Sequence, residues 1–392
     1  MNNKSLLCSE NPDLSIVIPC LNEEDTLGIC LSKIATVAEY QNFSIEVIVA
    51  DNGSCDESIN IANSFNAKVV HVSKKGYGAA LMGGIERSKA PFILMADADD
   101  SYDFLEVPKF FKKIKEGYDL VQGCRLPKGG GKIAKGAMPW SHRHIGNPFF
   151  TFLVKSWFSS PVNDVYCGMR AFTRSFYDSI KMKCTGMEFA TEMIIKAANF
   201  STKTVEIPIT LHKDGRIQHP PHLRTIRDCL KTLQFFLICA PSKLFLLPGL
   251  FMCSLGSIGS ALGYLGSSFG PITLGPHTML GSSLFIISGT QAIFMNILSL
   301  DISKKIGMRK PNNNTLKQYL KIPQGMTCLL LLFSGVYLWG EIYLSWYLNN
   351  FGPLDYASTM KVVILGTTFI SLSLQIIIFN FFRAWIKVEI NN

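Results

Sequence analysis

The sequence predicts an α/β domain on a mostly parallel sheet, followed by an all-α transmembrane domain of about four helices. Three observations carry that reading. Up to about Leu230, short β-rich runs alternate with helical patterns, the order that gives parallel strands joined by crossover helices. Beyond Lys243, long apolar runs are separated by short polar loops. The chain has 392 residues, 48% of them hydrophobic, which is longer than one usual domain and apolar for a wholly soluble protein.

The expected strands are Leu14 to Ile18, Ile45 to Ala50, Lys68 to Val72, Phe92 to Ala96 and Asp119 to Gly123, and a helix from Glu188 to Asn199 precedes a strand over Thr204 to Thr210. Lys128-Gly129-Gly130-Gly131-Lys132 reads as a mobile loop. Four stretches reach the roughly 20 residues needed to span a bilayer: about 244–269, 280–300, 326–348 and 362–382. The loop around Gly270 to His277 has no Lys or Arg, whereas the next holds Lys304, Lys305, Arg309, Lys310, Lys317 and Lys321. The positive-inside rule then places both termini and the middle loop in the cytoplasm. The start lacks the apolar core of a secretory signal peptide, so the first domain is expected on the cytoplasmic face of the inner membrane. Leu230 to Ala240 is apolar but short, and follows Arg224 and Arg227, as an interfacial helix would; a core helix of the first domain is the alternative. The expected division is 1–229, 230–242 and 243–392.

The 11 cysteines show neither Cys-x-x-Cys pairs nor Cys/His metal spacing, which argues against disulfides or zinc. The net charge of +9 is largely accounted for by membrane topology, so no nucleic acid partner is needed.

In an open α/β sheet, ligands collect outside the carboxyl ends of the strands. Here the first strand runs into Pro19, Asn22 and Glu23, the second into Asp51-Asn52-Gly53-Ser54 with Asp56, and the fourth into Asp97-Ala98-Asp99. A carboxylate at that rim accepts the N–H of a uracil or guanine ring or a ribose hydroxyl. Asp99 is the candidate ligand of Mg²⁺ or Mn²⁺, which are held by one or two carboxylates plus substrate phosphates. Solvated loop acids are the alternative for Asp97 and Asp99, and turn and cap chemistry for Asp51 and Asp56. Lys75 and Gly76 follow the third strand and lead into a helix whose first N–H groups suit a phosphate. His212, His219 and His222 lack the acid or Cys pattern of a metal site.

These motifs resemble a family 2 inverting glycosyltransferase of the GT-A fold. Gly136 to Trp140, His142-Arg143, Gly146-Asn147-Pro148, Asn163-Asp164, Cys167-Gly168-Met169-Arg170, Thr185 to Phe189, Glu192-Met193 and His222-Leu223-Arg224 narrow the likeness. They resemble the bacterial polyprenyl-phosphate glycosyltransferase branch, relatives of dolichyl-phosphate mannose and glucose synthases. The resemblance spans about residues 13–250. It implies a UDP- or GDP-sugar donor bound through Pro19, Asn22, Glu23, Asp51, Lys75, Gly76 and Asp97, with the metal on Asp99. Asn52 stands where many relatives have a second Asp, and Ser101 where dolichyl-phosphate mannose synthases often carry a Gln.

The expected reaction moves one sugar, with inversion, to an undecaprenyl- or dolichyl-type phosphate. That acceptor is largely dianionic near neutral pH and needs no strong base. Arg125, His142, Arg143, Arg216 and Arg224 are the candidate phosphate-binding cations, because guanidinium holds phosphate oxygens as a fork. A solvated or headgroup-facing role is the alternative for each. By the resemblance, Asp164 lies near the transferred sugar. Glu192 is the candidate base or positioning residue, with a solvent-exposed ladder of Glu188, Glu192 and Lys196 as its alternative. Arg170 is a structural candidate. A processive polysaccharide synthase is the enzyme alternative, disfavoured because no Gln-x-x-Arg-Trp stretch is present. A non-catalytic membrane adaptor is the other. The spans leave homo-oligomer formation open.

Overall fold

The structure is a computed structural model. It describes Leu7 and residues 9–217, 225–305, 307–308 and 324–388. The chain divides into two compact units, Met1–Phe236 and Leu237–Asn392.

In the first unit the elements run β1 Leu14–Cys20, α1 Leu27–Tyr40, β2 Ile45–Asp51, α2 Ser58–Ser64, β3 Lys68–His71, α3 Tyr77–Glu86, β4 Phe92–Met95, α4 Val107–Lys115, β5 Leu120–Cys124, β6 Lys132–Ile133, α5 Asn147–Phe158, β7 Arg170–Thr173, α6 Arg174–Ile180, α7 Glu188–Asn199, β8 Thr204–Pro208, β9 Thr210–Leu211 and α8 Thr225–Cys239. One seven-stranded sheet has the order β3-β2-β1-β4-β7-β5-β8. Every pairing is parallel except those of β7 with β4 and β5. All of β1 and β2 is buried, as continuous apolar strands covered on both faces must be. Parallel pairing brings the carboxyl ends of β1, β2, β3 and β4 to one edge. The helix over Glu188–Asn199 forms with the predicted bounds.

Three details differ from expectation. The Cys167 to Arg170 turn leads straight into β7, a central antiparallel strand whose Arg170 pairs with both Met95 and Gln122. Lys128 to Lys132 is a packed turn: a Cβ at Gly131 would meet the Cys124 carbonyl oxygen at 2.1 Å, and Lys132 starts β6 against β9. The segment read as an interfacial helix belongs to the longer α8, whose Phe236 is buried against Phe150 and Phe158 while Leu230 and Ile238 are exposed.

Among its described residues the second unit holds four helices long and apolar enough to cross a membrane, over Ser242–Leu265, Pro276–Lys305, Gly325–Leu348 and Tyr356–Ile386. Pro276–Lys305 packs closely on the first. A Cβ at Gly249 would meet the Gly289 carbonyl at 2.8 Å, and one at Gly256 the Ser282 carbonyl at 2.6 Å. Glycines allow such backbone approach where lipid supplies no hydrophobic drive between helices.

Candidate active site

The β1 and β2 loops brace each other at the rim. Asn22, at φ 56°, accepts the Cys55 N–H on its Oδ1 (2.8 Å) and donates its own N–H to the Ser54 hydroxyl (3.1 Å). Pro19 lies within β1 opposite Ala50. Asp51, buried at the end of β2, accepts the Ser54 N–H on Oδ1 (2.8 Å), and His71 Nδ1 faces its Oδ2 at 2.9 Å. Burial pushes this carboxyl up, but the N–H groups of Ser54 and Gly53, the Ser54 hydroxyl and His71 outweigh it and hold it below its ordinary value.

Asn52 does work that an aspartate could not. Its amide donates to the carbonyls of Val72 and Lys74, both at 2.9 Å, and its Oδ1 accepts the Gly76 N–H at 2.8 Å. Lys75 donates to the Asn52 carbonyl at 2.5 Å. Gly76 sits at φ 133°, where a Cβ would strike the Thr185 carbonyl. That same carbonyl accepts the Ala79 N–H, so the mouth of α3 is partly closed by backbone and is not the open phosphate cradle expected there.

At the end of β4, Asp97 accepts the Tyr77 hydroxyl (2.8 Å), and Gly168 leaves no room for a Cβ beside its Oδ2. Burial first and the charge of Asp99 second push the Asp97 carboxyl up to about 6. Asp99 accepts the Ser101 hydroxyl (2.6 Å) and N–H (3.1 Å) on Oδ1, so Ser101 fixes the carboxylate's orientation. The Asp99 Oδ2 lies 3.8 Å from Arg216. Asp100, at φ 58°, turns away to Lys33.

Arg216, expected among the phosphate-binding cations, stands at this rim. It donates to both oxygens of the buried Glu23 (2.8 and 2.7 Å) and to Asp214 (3.1 Å). Its strand of chain is stitched over the β4 loop by His212 N–H to the Ser101 carbonyl and Gly215 N–H to the Asp99 carbonyl. Burial opposes its charge, yet Glu23, Asp99 and Asp214 more than offset this and raise its pKa. Glu23 is therefore the anchor of Arg216 rather than an open nucleotide ligand.

Other expectations need correction. Arg125 is buried and forked onto Asp164, with Nε to Oδ2 at 2.8 Å, Nη2 to Oδ1 at 2.9 Å and a backbone N–H to Oδ2 at 2.9 Å. Both oxygens of Asp164 are thus occupied, and the pair is a structural clamp rather than a phosphate ligand plus a free acid. Glu192 is fully buried, as is Lys196 at 2.7 Å, and it accepts the N–H groups of Lys183 and Cys184. It is neither an exposed ladder nor a base open to a substrate. Arg170 is structural, donating to the Ala190 and Cys167 carbonyls. His142 and Arg143 lie on a π-wound segment, His142–Gly146, at the surface, and among the described residues neither side chain is in an ion pair. Arg224, His219 and His222 lie outside the described residues.

His71, and Tyr77 within the Lys75-Gly76-Tyr77-Gly78 motif of the resemblance, had no expected role of their own. Each was legible as the polar residue beside a strand end or a glycine turn, but the partners Asp51 and Asp97 emerge only from strand register.

Among the described residues no three His, Cys, Asp or Glu side chains form a closed cage. The donor set still suits a hard divalent cation. Asp97 and Asp99 repel each other, and among the described residues the guanidinium that reaches Asp99, that of Arg216, is already shared with Glu23 and Asp214. A substrate diphosphate would complete such a shell.

The model of Glycosyl transferase family 2 matches residues 15–181, and that of the family 2 C-terminal transmembrane region matches residues 297–387. The low-salt glycan biosynthesis hexosyltransferase Agl6 of Haloferax volcanii is 32% identical over 362 residues, 90% of this chain and 86% of its own. The chain belongs to glycosyltransferase family 2. This family 2 enzyme is a membrane protein with a GT-A-like sheet. A dolichyl-phosphate hexose transferase of Haloferax volcanii is 32% identical over 50% of the chain and 82% of its own length. The undecaprenyl-phosphate 4-deoxy-4-formamido-L-arabinose transferase of Pseudomonas fluorescens is 27% identical over 73% of the chain and 83% of its own.

Proposed function

We propose that this glycosyltransferase moves a single sugar from a nucleotide-sugar donor to a polyprenyl phosphate at the cytoplasmic membrane face, with inversion. The carrying observation is the Asp97–Asp99 pair at the sheet edge, left with surplus negative charge beside one shared guanidinium. The names of two relatives, a dolichyl-phosphate hexose transferase and an undecaprenyl-phosphate sugar transferase, support a polyprenyl phosphate as the acceptor.

A second feature supports a lipid acceptor. No acid occurs between Asp119 and Asp164, while, besides the buried Arg125, Lys128, Lys132, Lys135, Arg143 and Lys155 do. In that stretch Trp140, Ile145, Phe149 and Phe152 are exposed, and Phe150, Leu153 and Val154 on the other face of α5 are buried. Cations interleaved with exposed aromatic and apolar groups suit a membrane surface and an anionic headgroup.

In the reaction, an acceptor phosphate oxygen forms the bond to the anomeric carbon as that carbon's bond to the donor diphosphate breaks on the opposite face. Asp51 orients the base and Asp97 a donor hydroxyl. Asp99 would hold Mg²⁺ or Mn²⁺, which when bound would neutralise charge on the leaving diphosphate. Arg143 and His142, unpaired in the described structure, meet the acceptor phosphate. Burial of Glu192 fits a reaction without a general base, because the acceptor arrives as an anion.

The test is purified protein with Mn²⁺, polyprenyl phosphate and a panel of nucleotide sugars, with mass analysis of the lipid. One donor gives a monoglycosylated polyprenyl phosphate. Long polymer, or no product under conditions where a verified relative is active, overturns the proposal.

A further inference from the structure

We infer that Tyr77 is a positioning residue for Asp97, and that the buried Glu192–Lys196 pair acts on the donor site through it. The inference rests on the nucleotide-donor reading above, in which Asp97 meets a donor hydroxyl.

Asp97 is held from one side. Among the described residues the Tyr77 hydroxyl is the group that donates to it, at 2.8 Å on Oδ1. Its Oδ2 lies beside Gly168, where a Cβ would come within 2.5 Å. An ionised carboxylate only accepts. Without the hydroxyl, Asp97 keeps Asp99 as a repelling neighbour and loses the donor that fixes its angle.

Tyr77 is the first residue of α3 and stands between two glycines, Gly76 and Gly78. A Cβ at Gly76 would strike the Thr185 carbonyl, and one at Gly78 the Cys184 carbonyl. The Thr185 carbonyl also accepts the Ala79 N–H at 3.0 Å. The first turn of α3 thus rests directly on the backbone of Cys184 and Thr185. In a close-packed interior a shift of that backbone carries Tyr77 with it.

The pair on α7 sets where this backbone lies. Glu192 accepts the Cys184 N–H on Oε2 at 2.7 Å and the Lys183 N–H at 3.1 Å from each oxygen. Lys196, 2.7 Å from Glu192 Oε1, donates to the Lys181 carbonyl at 2.8 Å. One carboxylate and one ammonium, both fully buried, therefore tie three backbone groups of a turn in which Lys181 stands at φ 46°. Stability alone does not call for such a pair, because apolar residues of similar volume often serve as well. Apolar residues could not aim two N–H groups and a carbonyl. The contacts run from Glu192 to Cys184, through the Thr185 carbonyl to the mouth of α3, and from Tyr77 to Asp97. Misplacing a reacting group by about 1 Å costs on the order of 100-fold in rate, so a remote tie of this kind has kinetic weight.

The experiment compares full-length wild type, Tyr77→Phe, Glu192→Gln and the combined variant in detergent. Transfer to polyprenyl phosphate is measured per folded enzyme with the nucleotide sugar that gives product in the panel above. Tyr77→Phe lowers kcat/KM for the donor about tenfold, as loss of one hydrogen bond to a charged group does, with Tm near wild type. Glu192→Gln offers one acceptor oxygen where the carboxylate offers two, and lowers both kcat/KM and Tm. The combined variant is no slower than the slower single one, because Glu192 acts through the hydroxyl already removed; its Tm falls as in Glu192→Gln. A second readout needs no substrate. Hydrogen exchange of the peptide containing Ala79 quickens severalfold in Glu192→Gln and stays at the wild-type rate in Tyr77→Phe. If Glu192→Gln does not fold, Glu192→Leu with Lys196→Met takes its place, an apolar pair that releases the same backbone groups. Tyr77→Phe at the wild-type rate, losses that multiply in the combined variant, or unchanged exchange at Ala79 overturns the inference. A wild type that transfers no sugar from the panel defeats the nucleotide-donor reading itself, and the inference with it.

Discussion

Two arginines of the first unit meet carboxylates in opposite ways. Arg125 and Asp164 form a balanced pair: one fork on one carboxylate, both buried, with the Arg125 backbone N–H as a third donor on Oδ2. Arg216 is instead shared among Glu23, Asp214 and Asp99, with Asp97 behind Asp99. The first arrangement is charge-balanced and holds a turn in place. The second carries surplus negative charge at a strand-end rim, which is where a divalent cation and a diphosphate would be stabilised. Burial alone does not separate the two. Charge stoichiometry does.

The largest expected effect tests the rim. Asp99→Ala lowers transfer about 100-fold or more, as loss of a principal electrostatic contact does, while thermal unfolding stays near wild type. Retained activity in the lipid-product assay would remove Asp99 from the metal role. The clamp should behave in the reverse sense. Asp164→Ala leaves Arg125 buried without a partner and costs about 3–5 kcal/mol of stability, read as a lowered Tm in detergent. The double change Arg125→Met with Asp164→Leu recovers most of that loss, because an apolar pair of similar volume has no charge to desolvate. If the single change leaves Tm unaltered, the clamp assignment is wrong.

A smaller effect sharpens the comparison. Arg216→Ala tightens Mn²⁺ binding severalfold, since about 1 kcal/mol of competing attraction for Asp99 is removed. Manganese paramagnetic resonance without nucleotide checks it, and unchanged affinity would place Arg216 apart from the metal position. The smallest effect concerns Asp51. Its folded pKa is lowered, so its ionised form contributes stability above the unfolded carboxyl value that is lost as pH falls through the folded one. The Tm difference between wild type and Asp51→Asn should therefore shrink on acidification from pH near 7 to below about 4. A difference that grows on acidification reverses the assigned sign.

Much of this molecule is legible along the chain. Continuous apolar strands, an acid after each of β2 and β4, and four apolar stretches are local properties. They determine a parallel sheet with a polar rim and a membrane unit. Even the Glu192–Lys196 pair is visible from its spacing of four, yet its complete burial is not, because α7 is covered by chain from elsewhere. β7 was hidden for a related reason: a short strand inserted antiparallel between β4 and β5 has no turn signal of its own.

What the sequence by itself determined is which residue types reach the strand ends and which segments are apolar enough for lipid. Tertiary structure decided the partners. Asp164 is claimed by Arg125 across 39 positions and Glu23 by Arg216 across 193, while Asn52 is spent on the β3–α3 loop. The reason is physical. A carboxylate shows its charge in the sequence, but its role depends on which donors desolvation and strand register bring within hydrogen-bond reach.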